Sequence, residues 1–283
     1  MTEMQLDSYK ISLVTLFLMA CVFGFNPVSA QDYPFRGGEK LNYMVHYRWG
    51  AINADLVSVD IACYEEEDLF HVRTDINTLP FWTTFYKMQD ILDSYFSKDD
   101  LRPVKYHRDA HEGNFWAVND LTWSDDAMSY HSVVDKKRYP HRDTVFSESV
   151  MVYDLVGLIY KLRNEDFEEL LSKDTTLVFA YTMDRDIFDA YVKVVGKEEI
   201  SVKKSGTFET IKVSTIFKKR NDFGEDNTDL LIGSSQGGEY DGKDAVLLWL
   251  TDDSNRLPVK FSASVTVGRI EGRITTYSGL KYR

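Results

Sequence analysis

Cysteine is nearly absent from this chain: 283 residues hold only Cys21 and Cys63. Cys21 lies in an N-terminal segment expected to be removed, so Cys63 has no partner for an intramolecular disulfide. Cys63 continues the apolar phase of Val57, Val59 and Ile61, which reads as a small buried hydrophobe, and nothing beside it would lower its pKa toward a nucleophilic thiolate. Long apolar runs are missing as well. The longest, Ile11–Phe25, is about 15 residues, short of the roughly 20 that a membrane-spanning helix needs. Basic surplus is a third absence. Against 45 Asp and Glu stand 33 Lys and Arg, a formal net charge of −12. That balance disfavours nucleic acid and anionic membrane surfaces as direct partners, since both call for a basic footprint. A repeat array, a coiled coil, a low-complexity linker, a Gly-rich phosphate loop and a dinucleotide fingerprint are all lacking too.

The N-terminal segment has the form of a secretory signal. Lys10 precedes the apolar run, and Val28-Ser29-Ala30 offers small residues before Gln31; cleavage is expected after Ala30, leaving one exported β-rich domain over residues 31–283. Leu18-Met19-Ala20-Cys21 resembles a lipoprotein signal in part, but Met19 and the apolar Val22–Phe25 that follow argue against a lipidated Cys21. Removing Glu3, Asp7 and Lys10 with the segment leaves a charge of −11.

What is present is alternation. Leu41, Tyr43, Val45 and Tyr47 form one phase of a first strand, Ala54–Cys63 returns after the turn at residues 50–53, and Phe70, Val72, Thr74 and Ile76 give a third, an antiparallel meander. Strands are expected again at Asp90–Ser97, Val104–His111, Asn114–Trp123 and Met128–Val134, with Pro80–Met88 a loop or helical turn. One long helix is expected at Val150–Leu162, from Val152, Leu155, Val156, Ile159 and Leu162 at helical spacing, capped by Ser147 or Ser149. A short helix follows near Glu165–Leu171. Further strands are read at Thr176–Thr182, Phe188–Val195, Glu198–Lys203, Phe208–Phe217, Ala245–Thr251 and Val259–Tyr277. Within the last, the apolar phase switches at Gly268, which implies a β-bulge or a sharp bend. Leu247–Phe261 carries a hairpin signature, with Asp252 to Asn255 as its turn and Trp249 as a core anchor. The fold class that results is mainly β: a large curved antiparallel sheet, a half-barrel or open barrel, with one amphipathic helix covering its concave face.

The candidate chemical motifs fit poorly. Gly233-Ser234-Ser235-Gln236-Gly237 has the spacing of a hydrolase nucleophile elbow, but the Gly- and Asp-containing stretch after it cannot begin the helix that the motif requires. His107 and His111 are four apart; on a strand that separates them by about 13 Å, too far to share a metal ion. The acidic stretch Asn221–Asp244 does not follow a calcium-loop spacing. Asp252 and Asp253 are adjacent, whereas glycosidase carboxylates face each other about 5 to 9 Å apart; a turn explains the pair. No cofactor and no metal is expected.

Several separated segments together resemble a bacterial exported family, that of the domain of unknown function 3108. They are Phe35–Tyr43 with Gly38 and Glu39, Asp90 to Pro103, the helix from Asp154 to Arg163, and Trp249–Val259 with Asp252, Asp253 and Pro258, followed by Gly268. The resemblance implies a periplasmic or outer-membrane-associated protein of a Gram-negative bacterium, with a fold similar to the half-barrels of periplasmic lipoprotein carriers. It supplies no catalytic residues. The expected function is therefore non-enzymatic, a monomer that takes a lipid or other amphiphilic ligand in the curved sheet. The alternatives are an envelope hydrolase acting on glycan or lipid, and an assembly scaffold with a filled core.

Overall fold

The computed structural model describes residues 31–184, 186–220, 246–265 and 268–283. The chain runs β1 (Lys40–Trp49), β2 (Ile52–Glu66), β3 (Leu69–Thr78), β4 (Met88–Ser97), β5 (Pro103–Glu112), β6 (Phe115–Trp123), β7 (Ser129–Lys136), β8 (Arg142–Ser147) and β9 (Val152–Tyr153). Two helices follow, α1 (Leu155–Arg163) and α2 (Phe167–Ser172). The remainder is β10 (Thr176–Met183), β11 (Asp186–Val202), β12 (Gly206–Lys219), β13 (Val246–Thr251), β14 (Pro258–Ser264) and β15 (Arg269–Ser278).

All fifteen strands belong to one sheet, in the order β8 back to β1, then β15 back to β9. Every pairing is antiparallel except β9 with β10. The first and last long strands meet in the middle, so the sheet's two edges, β8 and β9, are neighbours in sequence. That connectivity dictates curvature. Laid flat, fifteen strands at about 4.8 Å spacing would be roughly 67 Å wide, yet the few residues from Ser147 to Val152 reach at most about 18 Å. The sheet must therefore curl until its edges nearly meet, and it stays open because β8 and β9 do not pair. Hydrogen bonds from Glu148 N to Met128 O (2.8 Å) and from Val152 N to Ala127 O (3.4 Å) fasten the crossing segment to the β6–β7 turn.

Helix α1 lies against the concave face. Val156 and Tyr160 pack with Phe35, Phe70, Phe96, Leu121 and Tyr130, whereas Leu158 and Leu162 pack with Tyr181, Phe188, Val192 and Ile211 on the other half of the sheet. The helix is thus buried on two sides, and not on the single stripe that the spacing of Val152, Leu155 and Ile159 implies; Leu155 and Ile159 are only partly buried. A third apolar cluster joins Leu41, Tyr43, Trp249, Val259 and Ile274 where the sequence ends of the sheet meet.

Some expected boundaries are corrected. The helix starts at Leu155, because Val152 and Tyr153 pair with Ala180 and Tyr181 as an edge strand. Its cap is Asp154, whose carboxylate accepts from Gly157 N at 2.8 Å, in place of Ser147 or Ser149. Residues 186–202 form one strand, since a register shift between Val194 and Gly196 absorbs the phase change that reads as a break. Val259–Tyr277 is two strands, β14 and β15, with Gly268 (φ +91°) in the connection. Strand β8, with alternation too weak to read, is an addition. The Gly233–Gly237 motif and the acidic Asn221–Asp244 stretch lie outside the described residues.

Candidate functional site

Side-chain alternation on β4 to β7 sends every second residue to the concave face. Toward the lower end these are mostly apolar, Phe96, Tyr106, Leu121 and Tyr130, with Ser94 and Ser132 among them. Toward the upper end the same phase turns polar, with Asp90 on β4, Arg108 and Glu112 on β5, Asn119 on β6 and Lys136 on β7. Cross-strand register gathers them: Asp90 is opposite Ala110, Arg108 opposite Asn119, and Lys136 opposite Ala117. From the other half of the sheet the β10–β11 turn brings Asp184, held at φ +51°. Arg108 donates to one Asp184 carboxylate oxygen (2.6 Å) and Lys136 to the other (3.1 Å), while Arg108 also reaches Glu112 at 3.3 Å. Asn119 Nδ2 donates to the Asp184 carbonyl at 3.4 Å, but its buried Oδ1 has no hydrogen-bond partner among the described residues.

Asp90 and Glu112 are diagonal neighbours across β4 and β5, and two carboxyls so placed resist ionising together. Burial, and then the Asp90 charge, push Glu112 up to about 7, against the pull of Arg108. Asp90 is raised by burial, opposed by Arg108 and by the His111 N–H that donates to it at 2.9 Å. Tyr86, from the β3–β4 loop, is raised to about 12 by burial and then by Glu112. The side chains of Glu112, Arg108 and Asp184 keep 13%, 14% and 10% of their exposure, so the cluster stays within reach of solvent. It can store a proton near neutrality and present two cations to an anion that competes with Asp184.

A second polar group sits deep at the lower end. Arg163, at the end of α1, makes a two-pronged ion pair with Glu39 (2.6 and 2.8 Å), and both side chains are fully buried. Arg163 also donates to Asn255 O at 3.0 Å, and its guanidinium stacks over Phe35 and Tyr160. Tyr160 OH donates to Glu39 at 3.2 Å. Asp154 is buried too; burial raises it to about 6, opposed by the Gly157 N–H and the Ser94 hydroxyl that donates at 2.9 Å. Apolar surroundings and the matched Arg163–Glu39 pair make this a structural lock for α1, although the buried Arg163 Nε has no hydrogen-bond partner among the described residues.

Other sequence-singled residues take structural places. Asp253 Oδ1 accepts from Thr251 Oγ1, Asn255 N and Arg256 N, and Asp252 pairs with Lys197 and Arg256; the two make a turn. Trp249 is buried, and its indole N–H donates to Glu198 at 2.6 Å. Pro103 and Pro258 open β5 and β14, and the Pro258 carbonyl accepts from Tyr43 OH at 2.6 Å. Gly38 adopts φ +91° beside Glu39. Cys63 is buried, and burial raises its thiol pKa. His107 and His111 pair separately with Asp120 and Asp109, and among the described residues no group of three or more His, Cys, Asp or Glu is placed to hold a metal ion. Of the sequence-singled residues only Asp90 belongs to the upper cluster. Arg108, Glu112, Asn119 and Lys136 carry a signal that was there to use, charged or amide side chains in the inward phase of strands with apolar neighbours, as in Tyr106-x-Arg108-x-Ala110-x-Glu112, whereas Asp184 sits on a turn and carries none.

The two rims of the β1–β8 half differ in charge. At the upper rim, the connections Arg48–Asn53, Leu79–Lys87, Glu112–Trp116 and Lys136–Arg142 carry Arg48, Lys87, Lys136, Lys137, Arg138 and Arg142 against Glu112 alone, formally +5. At the lower rim, Glu65-Glu66-Glu67-Asp68, Asp99-Asp100 and Asp125-Asp126 stand against Lys98 and Arg102, formally −6. The upper rim also exposes Trp49, Phe81, Phe85, Tyr86 and Trp116.

One solved structure supports the β-barrel-like fold. A β-barrel-like protein of the domain of unknown function DUF1849 from Brucella abortus superposes with a TM-score of 0.52 at 7% identity, covering 85% of this chain and 96% of its own. A proposed lipoprotein from Parabacteroides distasonis gives 0.33 at 9% identity, covering 87% and 97%. A protein from Bacteroides fragilis, proposed to be exported and having a YmcC-like fold, gives 0.33 at 8%, covering 88% and 99%. No curated protein matches the sequence. The family model described as "Protein of unknown function (DUF3108)" matches residues 42–275, and the chain belongs to that family.

Proposed function

We propose that this member of the DUF3108 family is a non-enzymatic protein of the cell envelope that holds one amphiphilic, lipid-like molecule at the upper end of its concave sheet face. Export is the expected route, from the signal-like Lys10–Ala30 segment. The observation that carries the reading is the polarity gradient along the concave face. Arg108, level with Leu92, and Lys136, one step higher, lie above the apolar Tyr106 and Leu121, and both cations pair with the carboxylate of Asp184 on a turn in a strained conformation. An anionic headgroup that replaces Asp184 on those cations would keep them paired, with its chain held at the upper end. Helix α1 fills the lower concave face, which confines such a ligand to the upper end.

The test is native mass spectrometry of protein purified from its own envelope, with lipid extraction. One bound acidic amphiphile is expected, with occupancy reduced at least tenfold in Arg108→Gln while near-ultraviolet circular dichroism is unchanged. A protein that carries no amphiphile, and that after delipidation binds no fluorescent acyl-chain carboxylate, would sink the proposal. A stoichiometric protein partner with no amphiphile would favour the scaffold reading.

One observation favours a second reading, an envelope hydrolase. Three carboxyls, Asp90, Glu112 and Asp184, converge, and burial with the Asp90 charge holds Glu112 at about 7, the range suited to general acid–base work. Hydrolysis of a glycan or ester substrate that disappears in Glu112→Gln and follows a pKa near 7 would establish it.

A further inference from the structure

We propose that the upper rim of the β1–β8 half docks the protein on an anionic phospholipid surface, with the β3–β4 loop seated among the headgroups. This stands apart from ligand binding: the rim would dock whether or not the concave face takes an amphiphile. The loop Leu79–Lys87 is built to hold aromatic rings out of the protein. Phe81 and Phe85 keep 73% and 76% of their exposure, and Tyr86 keeps 47%. Yet the loop is not slack. Trp82 N donates to Leu79 O, Phe85 N and Tyr86 N both donate to Trp82 O, and Thr83 Oγ1 donates to Pro80 O. Its two ends are fastened by Leu79 N to Leu56 O (2.8 Å) and Gly113 N to Lys87 O (2.7 Å). The rings also brace one another, Phe81 edge to face with Trp82 at 5.0 Å and Trp82 tilted against Phe85 at 6.0 Å. A contiguous exposed aromatic patch on an ordered loop marks an interaction surface.

Charge complementarity selects the occupant. The chain as a whole is at −12, but the antiparallel meander places alternate connections at opposite ends and so sorts that charge, with formally +5 at this rim and −6 at the other. The loop itself contains Lys87 and no carboxylate, and the β7–β8 connection adds Lys137 and Arg138. The one acidic residue of these four connections, Glu112, faces the concave interior, as does Lys136, which pairs with Asp184, so Arg48, Lys87, Lys137, Arg138 and Arg142 are the cations left to the rim. Aromatic rings flanked by Lys and Arg are the composition that settles at a bilayer's headgroup level, the rings in the interface and the cations on phosphate. The acidic lower rim fixes the orientation by repelling the same surface.

The experiment is co-sedimentation of the full mature chain with vesicles of phosphatidylglycerol and phosphatidylcholine, alongside pure phosphatidylcholine vesicles. Binding is expected to be at least tenfold tighter to the anionic vesicles and to weaken as salt is raised. Phe81→Ser/Phe85→Ser and Lys87→Glu/Arg138→Glu alter exposed side chains, so both should keep the wild-type melting temperature while partitioning falls tenfold or more in each. A control pair at the other rim, Glu66→Gln/Glu67→Gln, should leave binding unchanged or slightly raised. Equal partitioning of wild type and both rim variants, no partitioning at all, or rim variants that instead abolish self-association in analytical ultracentrifugation would overturn the proposal. The acyl-chain probe assay on the same rim variants keeps the two readings apart, since loss of docking with retained probe binding strikes only one of them.

Discussion

Arg163 is held by Glu39 in front of its guanidinium, by the Asn255 carbonyl, and by the Phe35 and Tyr160 rings, which meet each other edge to face beside it. A charge so deeply placed is tolerated only because its partner is equally desolvated and geometrically matched. Removing one member strands the other. Arg163→Met is therefore expected to lower unfolding free energy by about 3–5 kcal/mol. The double variant Glu39→Leu/Arg163→Met, which leaves no buried charge behind, should recover most of that loss. Urea unfolding of the three proteins reads it directly; a double variant as unstable as the single one would place the cost in lost packing and not in the stranded carboxylate.

At the scale of elements, turns and caps rest on few residues. Helix α1 begins where it does because Asp154 accepts from Gly157 N and is itself held by Ser94 on β4, so one carboxylate caps the helix and ties it to the sheet. The β14–β15 connection depends on Gly268 in another way. Its φ is +91°, and a Cβ there would lie 2.4 Å from the Arg48 carbonyl oxygen. Gly50, in the β1–β2 turn, also has a positive φ, +55°, but a Cβ there would meet nothing within 4 Å. Gly50→Ala should thus cost only the left-handed penalty of about 1–2 kcal/mol, and Gly268→Ala distinctly more. Thermal unfolding of both variants decides; equal costs would show that the β1–β2 turn yields to the added methyl.

For the molecule as a whole, the upper cluster bridges the two halves of the curled sheet, so its protonation bears on global stability. Glu112 has a folded pKa of about 7 against an ordinary 4.5. Between those values the folded protein holds a proton that the unfolded chain has released. The stabilisation linked to Glu112 is then fully present below about 4.5 and is lost as pH rises through about 7. Wild type should lose stability between pH 5 and pH 8 relative to Glu112→Gln, by on the order of 1 kcal/mol or more. Asp154, raised to about 6, has the same sign but titrates in both proteins and cancels in the difference. Parallel stability profiles for the two proteins would show that Glu112 is not the group that titrates.

The sequence by itself determined the strand phases, the hairpin turn at Asp252–Asn255, the burial of Trp249 and Cys63, the mainly β class and the family resemblance. These are local properties: period-two alternation and turn chemistry act over a few residues and are written in order along the chain. Only the tertiary structure decided that β1 pairs with β15, that Glu39 meets Arg163 across 124 positions, and that Asp184 closes on Arg108 and Lys136 from the far half of the sheet. Partners so distant are chosen by strand register and by the curl that a short β8–β9 connection forces, and neither leaves a pattern in any one segment. The same geometry sorts a net acidic chain into a basic rim and an acidic one, a segregation that a sum of charges cannot show.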